Sequence, residues 1–542
     1  MIAPRMSTPP LRERFASLFS LALLPLLLVA VLLPFGRSAE LGVVAALVGC
    51  AVLLRREPDC WRANRRWPLF LLLWACYTGA AALSALDAVD PGKSWGTVLA
   101  ALRLLPLGLY AALALPKVRP QTLHWGVAVV LAVWLADAWV QALTGHSLGG
   151  TPEAERLSGL FGNDNLKLGP VLATLSPFLL HAARQQWGRR GLLLAFLAVL
   201  GPVLLAGSRA SWFALALVAM VFLWRETRRP LAFLAGAAAL GLAAALAIAL
   251  AWRHSEAFDA RMDRTLLALQ GSSGQIDFAL AGRAQIWHTA VHMIQAHPFN
   301  GVGVRGFRYA YAEYAAPGDS FVQPDGSGAA HAHQLVLEVL SETGFAGLAL
   351  WLAGLVAALR AWRQAMPVAR EAAFAPGLAL VAMAFPLNTH LAFYSAWWGL
   401  LFWWLLAQFC AALPARRVPG AAAAGDEAGE DSADDDGFVG DGRTAESSTT
   451  QSPASASFAS NHSGLDNAWS AALAPYSSAV ECAAPEDRTA EQRTTHCHIA
   501  GSASGDSSRC SSDSSASSDS SSSCESSSSS DSGSSYSGGS DA

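Results

Sequence analysis

The chain has 542 residues, of which 53% are hydrophobic and 14% charged, with a formal net charge of −4 at pH 7. That balance is too apolar for an ordinary soluble protein, and no basic patch carries the interleaved aromatics of a nucleic-acid binder, so no nucleic acid partner is expected. The net charge itself says little, because acids concentrate beyond Pro419 while bases cluster between the apolar runs before it.

Apolar runs approaching the roughly 18 residues that mark a membrane span recur too often for a soluble core. In chain order they fall near 15–35, 39–54, 67–85, 94–115, 124–143, 166–183, 191–207, 211–224, 231–252, 345–362, 373–391 and 393–413. The pattern predicts an all-α, polytopic membrane protein of about twelve transmembrane helices. Residues 1–14 form a short amino-terminal segment and 15–419 the membrane domain. Arg12 and Arg14 resemble the basic head of a signal peptide, but no small-residue cleavage site follows.

Arginines alternate between the connections. Arg55, Arg56, Arg62, Arg65 and Arg66 follow the second run, Arg184, Arg189 and Arg190 the sixth, and Arg225, Arg228 and Arg229 the eighth. Arg360, Arg363 and Arg370 follow the tenth, and Arg416 with Arg417 the last. The positive-inside rule puts these connections and both chain ends in the cytoplasm. Connections such as the one bearing Asp87, Asp90 and Lys93 then face outward.

One outward connection, 253–333, is roughly eighty residues long, far beyond the usual loop length, and is therefore expected to be functional. Within it Ile286, Trp287, Ala290, Val291 and Ile294 recur at helical spacing between Gly282 and His297, with Pro298 and Asn300-Gly301 as the stop. A second helix is expected from about Ala330, carrying His331 and His333 and ending at Gly344 before the tenth run. Its polar residues Gln334, Glu338, Ser341 and Glu342 suggest a helix lying at the water interface. Beyond Pro419 the chain turns acidic and then serine-rich, and such a composition buries too little apolar surface to offset its ordering entropy. Residues 420–542 are expected to be a disordered cytoplasmic tail.

Several residues could carry chemistry. Arg209, among the small residues Gly207, Ser208, Ala210 and Ser211 at the outer mouth between two apolar runs, is either a snorkelling arginine or a guanidinium fork open to a phosphate headgroup. Arg283 opens the loop helix, as a surface charge or a second such fork. The string from Gly301 to Gly306 spells GxGxxG, but it follows a helix and a proline rather than a strand, so it reads as a tight turn returning the loop to the membrane. His288 and His292 share a helix face near His297, without the glutamate or third ligand of a metal motif, and no metal or other cofactor is expected. Cys50, Cys60, Cys76 and Cys410 lie in or beside apolar runs, and the four tail cysteines form no CxxC pair, so neither zinc framework nor disulfide scaffold is indicated. His331 and His333, outside the membrane below an arginine-bearing loop, stand where a base would meet a membrane-bound substrate, or are a pair of solvated histidines. On a helix they would point about 200° apart, so only one could face a cavity.

Taken together, these strings resemble the superfamily of O-antigen ligases, O-antigen polymerases and bacterial protein O-oligosaccharyltransferases, most closely the ligases. The strings are Arg156-Leu157-Ser158-Gly159 with Asn163, Gly207-Ser208-Arg209, Gly282-Arg283 with Trp287, His297 to Gly303, and His331-Ala332-His333-Gln334 followed by Leu337, Leu340, Glu342, Gly344 and Gly347. The resemblance spans roughly 10–415 by topology and leaves the tail aside. It implies His333 as general base, Arg209 and Arg283 on the donor pyrophosphate, Arg156 and Arg305 as weaker phosphate candidates, and His331 and Gln334 as substrate-binding neighbours. Gln334 stands where the family more often has Asn. The implied partners are an undecaprenyl-pyrophosphate-linked glycan donor, a lipid A core acceptor and the bilayer. A polymerase or a protein-glycosylating enzyme would use the same donor. A transporter of polyprenyl-linked or small polar solutes is the alternative of another class, against which stands the lack of an internal repeat with paired broken helices.

Overall fold

The computed structural model describes residues 22–63, 66–150, 156–162, 165–254, 282–386 and 392–413, with isolated positions between them at 259, 262–263, 280 and 388–389. The amino-terminal segment 1–14, Asn163, most of 255–281 and the tail 420–542 lie outside the described residues.

Among the described residues every regular element is helical. The principal helices are α1 (Leu24–Leu32), α2 (Leu41–Arg56), α3 (Trp67–Ala85), α4 (Pro91–Lys117), α5 (Pro120–Thr144), α6 (Leu168–Leu205) and α7 (Arg209–Thr227). They continue as α8 (Pro230–His254), α9 (Arg283–Ala296), α10 (Phe307–Tyr314), α11 (Leu335–Gln364), α12 (Phe374–Met383) and α13 (Ala396–Ala412). Prolines open several of them, at positions where the missing N–H would have had no helical partner. Side chains cap others: Asp90 accepts from Lys93 N–H at 2.9 Å and Ser208 from Ser211 N–H at 3.3 Å.

Among the described residues eight helices are long and apolar enough to cross a membrane, against the twelve runs expected from the sequence. The difference has a physical reason. Leu24–Arg56 and Leu168–Leu205 each contain two runs joined at a glycine in the left-handed region, Gly36 at φ +66° and Gly188 at φ +66°. A straight helix of 38 residues would be about 57 Å long. Yet a methyl placed on Gly169 would lie 3.0 Å from Cβ of Ala206, so α6 doubles back on itself. The last two runs form the shorter apolar helices α12 and α13.

The interior is aromatic and aliphatic. Trp403 and Trp404 are fully buried; Trp403 meets Phe70 and Tyr77 edge-on, and Trp404 donates to Leu26 O at 2.9 Å. Outward faces remain apolar: Leu231, Leu242 and Leu194 are largely exposed, and none of the most apolar window of α8 is buried. An exposed apolar belt of that extent, on helices whose backbone groups are satisfied internally, is the surface of a multi-pass membrane protein.

Polar contacts sort the connections into two ends. Lys117 pairs with Glu57 at 2.7 Å, Arg184 and Arg189 with Glu226, and Arg225 with Glu371, while Arg66 donates to Ala411 O at 2.8 Å. Each joins two connections that the arginine count assigns to the same side. The other end carries the loop, where Val89 N–H donates to Val302 O at 3.0 Å and Trp397 Nε1 to Leu33 O at 3.1 Å.

The loop helix α9 lies where the periodicity placed it. It buries Ile286, Ala290 and Met293 against Val302, Phe307 and Tyr311, which makes a small core of its own. Val291, expected on the apolar face, is instead 40% exposed. The second expected helix differs at its start. Helix α11 begins at Leu335 with Gln334 as its cap, so His331 and His333 precede it, and Gly344 breaks it at φ +63°.

Candidate active site

Three backbone strands of contact assemble the site at the loop end. The glycine turn 301–305 is stitched to the last turn before the Gly344 break: Val302 N–H donates to Ser341 O at 2.8 Å and Gly303 N–H to Glu342 O at 3.1 Å. Arg305 N–H donates to a Glu342 carboxylate oxygen at 2.9 Å, and Ser84 Oγ accepts from Val304 N–H at 3.0 Å. Gly301 at φ +69° and Gly303 at φ +100° provide backbone shapes that side chains resist, and the string is a turn between the helices α9 and α10, without the preceding strand of a nucleotide loop.

Beside this turn lie the two histidines. The expectation that they sit on a helix and diverge is overturned: residues 331–333 are non-helical, His333 has φ +52°, and the two rings meet at a tilt of 46° with centroids 4.0 Å apart. Both therefore belong to one cluster. The segment is pinned from α9 by Trp287 Nε1, which donates to Ala332 O at 3.1 Å.

His333 Nδ1 lies 2.9 Å from Thr389 O. A carbonyl can only accept, so Nδ1 carries the proton and Nε2 keeps the lone pair. Burial, and after it the positive charges of His331 and Arg283, hold the His333 imidazolium well below the ordinary value of 6.5. The ring is thus neutral and its Nε2 is a proton acceptor. Arg283, the first residue of α9, donates through Nη1 to Leu280 O at 3.4 Å.

His331 Nδ1 accepts from His333 N–H at 3.2 Å and lies 3.6 Å from Oε2 of Glu338, a carboxylate with no exposed surface. The other Glu338 oxygen accepts from Phe393 N–H at 2.7 Å. Glu338, Ser341 and Glu342 are all fully buried, so the first turns of α11 do not lie at the water interface as their polarity suggested. They form the floor of the site. Two carboxylates one helical turn apart in an otherwise apolar helix were the signal that could have shown it, since ionisable groups at membrane depth are retained for function. Gln334 spends its side-chain carbonyl on the helix, accepting from Leu337 N–H at 2.6 Å.

The backbone segments that carry Arg209 and Arg156 meet in a second group of contacts. Arg209 is the first residue of α7, after Gly207 at φ +72° and the Ser208 cap. Leu157 N–H donates to Leu205 O at 3.5 Å, which brings the 156–159 strand beside that turn. Residues 392–398 run between the two groups, with Phe393 N–H on Glu338 and the Trp397 ring 6.4 Å from that of Phe161. Elsewhere in the loop, His292 Nδ1 lies 3.1 Å from Tyr314 O and His297 Nε2 2.9 Å from Tyr314 Oη, so both histidines tie α9 to α10.

A neutral, oriented imidazole near a guanidinium charge, at the loop end of the helices, can remove a proton from a hydroxyl while stabilising phosphate charge. Residues 171–352 match the family model described as O-antigen ligase. The matched stretch contains Arg209, Arg283, Arg305, His331, His333 and Gln334 and leaves Arg156 outside. No curated protein matches the chain.

Proposed function

With residues 171–352 belonging to the O-antigen ligase family, we propose that this multi-pass membrane protein is a metal-independent glycosyltransferase that moves a glycan from undecaprenyl pyrophosphate to lipid A core oligosaccharide on the periplasmic face of the inner membrane. The acceptor hydroxyl oxygen attacks the anomeric carbon as the bond from that carbon to the pyrophosphate oxygen breaks. His333 Nε2 takes the hydroxyl proton, and undecaprenyl pyrophosphate leaves with the bonding electron pair. One displacement inverts the anomeric centre. Arg283 and Arg209 hold the pyrophosphate, with Arg305 and Arg156 as supporting cations, and their guanidinium forks oppose the charge that grows on the leaving oxygen. His331 and Gln334 flank the acceptor.

The observation that carries this reading is the His333 Nδ1 contact with Thr389 O, because it leaves a neutral Nε2 beside Arg283. The test is transfer by purified protein in lipid vesicles, with lipid-linked glycan as donor and lipid A core, a second lipid-linked glycan or a serine-bearing peptide as acceptor. His333→Ala is expected to bind donor and to lose transfer by about two to four orders of magnitude, whereas His331→Ala retains measurable turnover. Wild-type turnover by His333→Ala removes the proposed base, and preference for either of the other acceptors removes the proposed acceptor.

A further inference from the structure

At the arginine-rich end, opposite the site just described, a lateral cleft of about 750 Å³ opens between α2, α3 and α4. Leu47 and Leu54 of α2, Phe70 of α3 and Leu102 and Leu105 of α4 line it, and Trp61 stands at its rim. The cleft extends along α2 at least from Leu47 to Leu54, which is about 10 Å of helix. Its volume falls in the usual range for a small-molecule site, roughly 300–1,000 Å³. No charged side chain lines it.

The rim differs in kind from the interior. Trp61 and Trp67 meet with ring centroids 6.1 Å apart, and Trp67 Nε1 donates to Trp61 O at 2.8 Å, which fixes an indole pair of the sort that settles at headgroup depth. Arg55 and Arg56 end α2 between the lining residues Leu54 and Pro58, and both are exposed. Arg66 immediately precedes the lining residue Trp67 and donates to Ala411 O. Lys117 is held by Glu57 at 2.7 Å. An apolar slot running into the membrane, roofed by indoles and edged by Arg55, Arg56, Arg66 and Lys117 against the two acids Glu57 and Asp59, matches the layout of one ligand chemistry: acyl chains below a negatively charged headgroup.

We propose that this cleft is a binding site for an anionic phospholipid of the leaflet at the arginine-rich end, with the acyl chains between α2, α3 and α4 and the phosphate against Arg55 and Arg56. The site is separate from the glycosyl-transfer machinery and does not depend on that reading. Lipid in it fills the gap between three helices that otherwise meet only partly.

The experiment uses the full-length protein in detergent, titrated with phosphatidylglycerol or phosphatidylethanolamine of the same acyl composition and read by native mass spectrometry. Phosphatidylglycerol is expected to bind the tighter. Each arginine near an anionic surface contributes about a fivefold factor, so Arg55→Ala/Arg56→Ala should weaken phosphatidylglycerol roughly 25-fold and phosphatidylethanolamine, whose ammonium offsets its phosphate, markedly less. Leu105→Trp, which fills the slot, should lose both lipids. Because a bulky residue there could disturb the packing of α4, the exposed arginine pair decides the matter. Equal binding of the two lipids by the wild type, or an undiminished preference in the arginine pair, would overturn the proposal. So would the absence of lipid adducts altogether, the result expected if a peptide segment or a second copy occupies the cleft.

Discussion

His333 is held from two sides: its Nδ1 faces Thr389 O at 2.9 Å, its N–H donates to His331 Nδ1 at 3.2 Å, and its ring lies tilted against that of His331. Burial first, then the charges of His331 and Arg283, keep it neutral well below pH 6.5. The proton balance follows from that direction. An unfolded His333 takes up a proton as pH falls below about 6.5, and the folded one refuses it, so acid favours the unfolded chain there and the penalty vanishes above that pH. For catalysis, kcat/KM should stay level as pH drops through 6.5 and decline only further down; an acid limb centred on the ordinary histidine value would contradict the burial of this ring. Arg283 gives a second prediction. Arg283→Ala should abolish transfer while Arg283→Lys retains part of it, since lysine keeps a charge but cannot grip two phosphate oxygens in one plane. Full activity in Arg283→Ala would take that residue out of the site. Both residues were legible in the sequence, whereas the role of Glu338 was not: its polarity pointed to water, and only the fold closes Phe393 and His331 over it.

Helix α11 was foreseen to its break and misjudged at its start. The break at Gly344 is written in the residue itself, because φ +63° suits glycine and because a methyl there would meet the backbone carbonyl of Phe299. Gly344→Ala should therefore cost on the order of 1 kcal/mol or more, visible as a lower unfolding temperature in detergent, and an unchanged temperature would show that the break is not under strain. The start is different. Nothing in Gln334 announces a helix cap, and a non-glycine residue at φ +52° such as His333 is uncommon enough that helical periodicity ran through it. The same limit applies to α10, a helix of eight residues that no run of apolar spacing marked.

Among the described residues, Lys117–Glu57, Arg184–Glu226 and Arg225–Glu371 join connections that the arginine count had put on one side, and the loop end carries the histidines. Sidedness relative to the cell is the corresponding prediction. A cysteine placed at the exposed Ala316 should react with a membrane-impermeant maleimide from the periplasmic side only, and labelling from the cytoplasm alone would invert the topology. The composition of 420–542 leads to another: truncation after Pro419 should leave transfer intact. Lost transfer at normal membrane abundance would give that segment a role its composition does not suggest.

The sequence by itself determined the class of molecule: membrane helices, a long loop between them, and most of the residues that now line the candidate site. These follow from composition and local periodicity, which act over a few residues and survive without knowledge of the fold. Tertiary structure alone decided which side chains meet. Runs expected as separate spans prove to be folded pairs hinged at Gly36 and Gly188. The turn 301–305 finds its hydrogen-bond partners near Ser84 and Glu342. The tautomer of His333 is set by a carbonyl 56 positions away in the chain. Such contacts arise because a buried polar group must be paired by whatever the packing brings to it, and no local pattern encodes that partner.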